Sequence, residues 1–300
     1  MEKLLDEIES YWSTRTEGYS EVNHKELAGT QKNAWLKVLT SQFPDKPKEE
    51  IRILDIGTGP GFFPVILAEA GYHVDAVDYT EGMLEKAKEN AGELCRNIHF
   101  QRMDAQKLEF EDNTFDVVIS RNLTWNLEHP DVAYREWVRV LKVGGKLLNF
   151  DANWYGYLYE EEQRKAYEND RKNVESNSLD DHYLCTDIER MERIALQVPL
   201  SKIRRPEWDV KTLREAGLLG IHTDTEIWNL PCFNEKRQHQ AVSFTTCKRT
   251  RYTTKRTSVV ILTLVMTFVD IARLLELFNR DAKSSVHRTD KLPLADVSSA

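Results

Sequence analysis

The sequence predicts a doubly wound α/β domain, a mainly parallel sheet with helices on both faces. Three observations carry this. An apolar run of mostly β-branched residues, Ile51, Ile53, Leu54 and Ile56, ends in glycines at alternate positions, Gly57, Gly59 and Gly61. Such a run reads as a buried parallel strand, and the glycines forbid its continuation. Strand and helix periods then alternate to about residue 150, the pattern of successive strand–helix–strand units. Finally, Asp55, Asp78 and Asp104 fall at three successive strand ends, where open sheets of this class bind ligands.

The elements follow in chain order. Residues 1–48 read as two helical pieces, one on Leu4, Leu5, Ile8, Tyr11 and Trp12, the other on Ala34, Trp35, Val38 and Leu39, separated by a polar, turn-like Thr14–Ser20. A charged linker, Pro44–Glu50, enters the core strand. Pro64 suits the first turn of the next helix, with Val65, Ile66, Leu67 and Ala68 as its apolar face. Strands are expected at His73–Val77, Ile98–Met103, Phe115–Ser120 and Lys146–Phe150, the last after a Gly144-Gly145 turn. Helices are expected at Glu81–Asn90 and Asp131–Leu141.

From Asn153 to about Pro206 the pattern changes to an aromatic run, Trp154–Tyr159, a charged helix, Glu160–Val174, and a polar turn, Asp180–Cys185. This insertion reads either as a cap over the substrate side or as a solvated helical hairpin. Trp208–Ala216 reads as a helix, and Gly220–Trp228 and Gln240–Cys247 as two strands that complete a seven-stranded sheet within residues 49–249. Residues 250–300 form an appended tail: basic to Arg256, uncharged from Val259 to Val269, and polar and disordered at the end. Its apolar run is too short for a stable membrane span. It reads as a helix or strand that packs on the body or on a second copy, giving a homodimer.

Composition narrows the functions. A net charge of −8 sets up no basic field for holding DNA through its phosphates. Four scattered cysteines without metal spacing suit a reducing, cytoplasmic setting, and no metal site is expected.

The glycine loop lets a ligand lie against the backbone at a helix N-terminus. Phe62 stands where a dinucleotide fingerprint requires glycine, and the Asp55 carboxylate would repel phosphate and attract a cation. A nucleoside with a positive charge fits better. Asp78 can accept both ribose hydroxyls, Tyr79 and Met83 can cover an adenine, and Asp104 with the Ala105 amide can take its polar edge. Each acid alone is more often a helix cap or a solvated turn residue, and it is their occurrence at three successive strand ends that points to a site.

The acid-x-Gly-x-Gly-x-Gly run, Asp55 to Gly61 with Thr58 inside it, resembles the first motif of class I S-adenosylmethionine-dependent methyltransferases. The resemblance extends over residues 50–151 through Asp78, Asp104-Ala105, Phe115–Val118 and Leu141–Lys146. It implies a Rossmann-like sheet of seven strands with the last antiparallel. It also implies S-adenosylmethionine as cofactor, with Asp55 near the amino-acid moiety, Asp78 on the ribose, and Asp104 and Ala105 on the adenine. Trp12, Arg15 and Tyr19 resemble the leading segment of small-molecule methyltransferases, which folds over the cofactor as a lid; Trp12 could equally be packing.

The segment Arg121–Pro130 bears on the substrate. It lacks the Asn/Asp-Pro-Pro-aromatic sequence of base-methylating relatives, so DNA is not expected. Asn122 can offer an amide to the cofactor, and Trp125, Tyr155 and Tyr157 can wall a small-molecule acceptor. Asp151, His129 and His182 are the candidate bases. Competing readings are an RNA or protein methyltransferase using the basic tail, a non-catalytic S-adenosylmethionine-binding protein, and a dinucleotide oxidoreductase, which Asp55 and Phe62 oppose.

Overall fold

The computed structural model describes residues 4–177, 186–224 and 244–248. His182 and residues 250–300 lie outside them, as do the expected strand positions 225–228 and 240–243. The chain begins with helices α1 (Leu4–Ala28) and α2 (Gln31–Thr40), then alternates β1 (Ile53–Ile56), α3 (Phe62–Glu69), β2 (Val74–Asp78), α4 (Glu81–Ala91) and β3 (Ile98–Arg102). β4 (Phe115–Arg121), α5 (Pro130–Val140) and β5 (Leu141–Phe150) follow. These five strands pair in parallel in the order β3-β2-β1-β4-β5. The chain therefore runs outward from β1 in one direction, then returns to its other side, which opens a crevice at the carboxyl ends of β1 and β4.

Burial on both faces explains why β1 is apolar at every position but Asp55. Ile53 packs with Val117, Ile119, Leu148 and Phe150 under α2 and α3, where Trp35 meets Phe63 and Phe150 edge-on at 5.4 and 5.0 Å. Leu54 and Ile56 point to the other face, against Val118, Leu147 and the α5 residues Tyr134, Trp137 and Val138.

Two expected boundaries move. Thr14–Ser20 is not a turn but the middle of the continuous 25-residue α1. Its inward face there is polar: Thr16, Ser20 and Asn23 recur at helical spacing and are buried. Thr16 sits against Gly82 of α4, and Ser20 hydrogen-bonds Asn90. A search for apolar periodicity passes over such a stripe. Likewise Gly144-Gly145 is no turn; α5 runs directly into β5, and the glycines lie in a register shift opposite Phe115–Val117. A Cβ on Gly145 would come within 2.9 Å of the Asp116 carbonyl, so glycine is required there.

After β5 come α6 (Glu161–Asn177), α7 (Ile188–Ala195) and α8 (Glu207–Glu215). α7 was not expected from the sequence, although Met191, Ile194 and Ala195 are buried on one face of it. Strand β6 (Leu219–Asp224) pairs antiparallel with β7 (Phe244–Lys248), which pairs antiparallel with β5. Among the described residues no helix is long and apolar enough to cross a membrane, and no cluster of three or more His, Cys, Asp or Glu could hold a metal ion.

Candidate cofactor site

A cleft of about 810 Å³, open mouth included, lies at the crevice, the place where sheets of this class bind ligands. Its lining brings together Tyr19, Gly57, Gly59, Asp78, Tyr79, Met83, Asp104, Ala105 and Asn122, all expected from the sequence. They come from α1, the loop after β1, the ends of β2, β3 and β4, and the first turn of α4.

The floor is backbone. Gly57 and Gly59 have φ of +69° and +52°, which side-chain-bearing residues rarely adopt. A Cβ on Gly57 would strike the Leu123 side chain at 2.7 Å, whereas one on Gly59 would project beside the Tyr19 ring at 3.4 Å. The cradle thus exists only while position 59 carries no side chain. Gly61 is glycine for packing, since its Cβ would meet Ala87 at 3.0 Å.

The Asp78 carboxylate accepts from Gly59 N at 2.8 Å and Thr80 N at 2.9 Å, which fixes it against the floor. Burial pushes its carboxyl above the ordinary value, and these amides oppose the rise. Two carboxylate oxygens provide about four lone-pair sites, so each retains one for a ligand donor. Asp104 is oriented in the same manner, accepting from Gln106 N at 2.8 Å. Beside it the Ala105 carbonyl is fixed by the Trp137 indole at 2.9 Å. The Arg102 guanidinium stacks 4.9 Å from the Tyr79 ring centroid and donates to the Tyr79 carbonyl, holding that ring at the rim.

At the other end Asn122 adopts φ +57°. Its side chain lies beside the Tyr19 hydroxyl, and its buried Oδ1 has no partner among the described residues. Sequence reasoning overlooked Arg121. Its guanidinium lines the cleft, holds Glu26 of α1 through contacts of 2.6 and 3.1 Å, and lies over the rings of Trp35, Phe62 and Phe63. The only local signal is a basic residue at a strand end.

Several expected residues stand elsewhere. Asp55 is 2% exposed and lies beneath the loop; burial raises its carboxyl to about 7, a rise that the neighbouring Thr58 side chain opposes. Trp125, Tyr155 and Tyr157 form an aromatic stack behind the cleft wall, Trp125 on Tyr155 at 5.1 Å, with the Tyr157 hydroxyl donating to Glu192. His129 exposes its ring on the surface, and its backbone N–H donates to Gln106.

Asp151 is not placed as a base. Its carboxylate accepts from the Thr124 hydroxyl, Trp125 N and Ala152 N, and pairs with Arg205 at 2.9 Å, both side chains fully buried. Arg205 also holds Asp209, whose carboxylate accepts from the Tyr134 hydroxyl, and Asn149 completes the network. With its lone pairs engaged and no path to the cleft, this carboxylate serves to fix the turn Thr124–Asn126.

Comparison with known proteins agrees with this geometry. Residues 54–149 match the methyltransferase domain family. A demethylmenaquinone methyltransferase of Clavibacter sepedonicus is 39% identical over 97 residues, 32% of this chain and 39% of that protein. A ubiquinone biosynthesis O-methyltransferase of Coxiella burnetii is 30% identical over 126 residues, 41% of this chain and 53% of that one. The chain spans about half the length of the curated relatives it matches. In fold, it is similar to a Methanococcus maripaludis protein provisionally assigned as an S-adenosylmethionine-dependent methyltransferase, with TM-score 0.53, 19% identity, and coverage of 80% of this chain and 94% of that one. Residues 54–149, which hold the glycine floor and the strand-end acids, are thus a methyltransferase domain, and the cofactor such a domain takes is S-adenosylmethionine.

Proposed function

We propose that the protein transfers a methyl group to a small-molecule acceptor by in-line displacement. The observation that carries this reading is the convergence in one cleft of a side-chain-free floor at Gly59 with the oriented carboxylates of Asp78 and Asp104. Bound there, S-adenosylmethionine supplies an electrophilic methyl carbon on a cationic sulfur. Asp78 would hold the ribose, Asp104 and Ala105 the adenine edge, and Tyr79 and Met83 its faces. Tyr19, Asn122 and the loop Gly57–Gly61, supported from below by Asp55 and Thr58, would hold the amino-acid moiety. An acceptor lone pair forms the new bond to the methyl carbon as the carbon–sulfur bond breaks, and the displaced proton passes to water.

No positioned base is needed, because alignment supplies much of the rate of such a displacement. The same proposal assigns residues 1–48 as the lid, residues 153–206 as the cap with Trp125, Tyr155 and Tyr157 behind the acceptor wall, and β6 and β7 as completing a seven-stranded sheet. The relatives named for quinone pathways support a small, apolar-ring acceptor.

Calorimetry with S-adenosylhomocysteine and, separately, with NADH tests the cofactor. Only the former should bind, and tight NADH binding would overturn the reading. Gly59→Val should weaken S-adenosylhomocysteine binding by about tenfold or more, through both its φ and its fill of the floor.

The buried Asp55 yields a pH prediction. Its carboxyl titrates near 7 in the folded chain against an ordinary 3.8, so its contribution to stability is full below about 3.8 and is lost as pH rises to about 7. Ionised Asp55 favours a cation overhead. Between pH 6 and 8 the affinity for S-adenosylmethionine relative to S-adenosylhomocysteine should rise roughly threefold, a Coulomb effect at intermediate dielectric. Asp55→Asn should flatten that profile; an identical slope in the variant would refute the assignment.

A further inference from the structure

The cleft carries a polar group to which the proposed cofactor contacts assign no role. Asn126, in the turn Thr124–Asn126, is 4% exposed and lines the cleft, and its Oδ1 has no hydrogen-bond partner among the described residues. A buried carbonyl oxygen without a donor is disfavoured unless a ligand supplies one. The backbone fixes where that oxygen is offered. Asn126 N donates to Leu123 O at 3.0 Å, and the adjoining Trp125 is held by Asp151 through its amide at 2.8 Å and by Asn122 O through its indole at 3.0 Å.

The surroundings describe the rest of the ligand. Trp12 meets Trp125 edge-on at 6.5 Å, and Leu5, Ile8 and Leu127 extend the apolar wall beside it. Glu9 and Glu128 stand in the same lining, and its one cationic side chain among the described residues, Arg121, is already held by Glu26. A negatively charged acceptor would therefore meet carboxylates without a free counter-charge.

We propose, resting on the methyltransferase reading above, that Asn126 determines acceptor specificity. Its Oδ1 accepts a hydrogen bond from an N–H or O–H group on a neutral or cationic compound with an apolar ring, and anionic acceptors are excluded.

The test uses the full chain saturated with S-adenosylhomocysteine and four probes, 2-naphthol, 1-naphthylmethylamine, naphthalene and 2-naphthoate, titrated by ligand-observed NMR. The wild type should bind the naphthol and the amine about tenfold more tightly than naphthalene, with 2-naphthoate weakest. Asn126→Leu should bring naphthol, amine and naphthalene within about twofold of one another, while calorimetry shows its S-adenosylhomocysteine affinity within about twofold of wild type. Asn126→Asp, which keeps an acceptor oxygen, should retain the preference for the amine. Equal binding of naphthol and naphthalene by the wild type, binding of no probe, or strongest binding of 2-naphthoate would overturn the proposal. A loss of S-adenosylhomocysteine affinity in Asn126→Leu would overturn it too, assigning the oxygen to the nucleoside. Failure of the wild type to bind S-adenosylhomocysteine is a separate result that removes the methyltransferase reading itself.

Discussion

Replacing Asp78 with alanine is expected to weaken S-adenosylhomocysteine binding roughly a hundredfold, about 3 kcal/mol, as two hydrogen bonds to a charged acceptor are lost. The size of the effect follows from what the carboxylate does in the structure. It orders the cleft floor through Gly59 N and the start of α4 through Thr80 N, and in the proposed function its remaining lone pairs take the ribose hydroxyls. Asp78→Asn keeps the shape and one acceptor oxygen, so its loss should be intermediate. Calorimetry measures both, with circular dichroism confirming the fold. An alanine variant that binds as the wild type does would show that the ribose lies elsewhere.

The second large effect concerns stability. Arg205→Met should destabilise the fold by roughly 3–5 kcal/mol, because the Asp151 and Asp209 carboxylates would be left buried and unpaired. Combining it with Asp151→Asn and Asp209→Asn should restore part of that loss, since neutral amides cost less to bury than unpaired charges. Urea unfolding measures the midpoints. Asp151→Asn alone also separates two roles: a base would lose turnover with an unchanged midpoint, whereas the observed network requires the midpoint to fall. Arg205→Lys is a poor substitute, because a single ammonium cannot reach both carboxylates in the forked geometry.

What could be read from the sequence was whatever depends on short-range order. The run Ile51 to Gly61 shows its strand and its turn in adjacent residues, and the acids at 55, 78 and 104 are found by counting to the end of each apolar segment. Helix α1 was divided in error because its buried stripe consists of Thr16, Ser20 and Asn23, which carry helical spacing without hydrophobicity. α7 is only eight residues long, too short for its apolar period to stand out. In the sequence Asp151 reads as one candidate base among three because its partner Arg205 lies far along the chain, and Arg121 gives no signal because Glu26 is 95 residues away. Asn126 looked like any polar turn residue; only the enclosure around it shows that its oxygen lacks a donor.

The position of Arg121 makes the cleft's covering sensitive to the charge of its occupant. One guanidinium fastens α1 through Glu26 and also borders the ligand space. A ligand carboxylate placed beside it would share that cation with Glu26, so helix and ligand would be held by one charge.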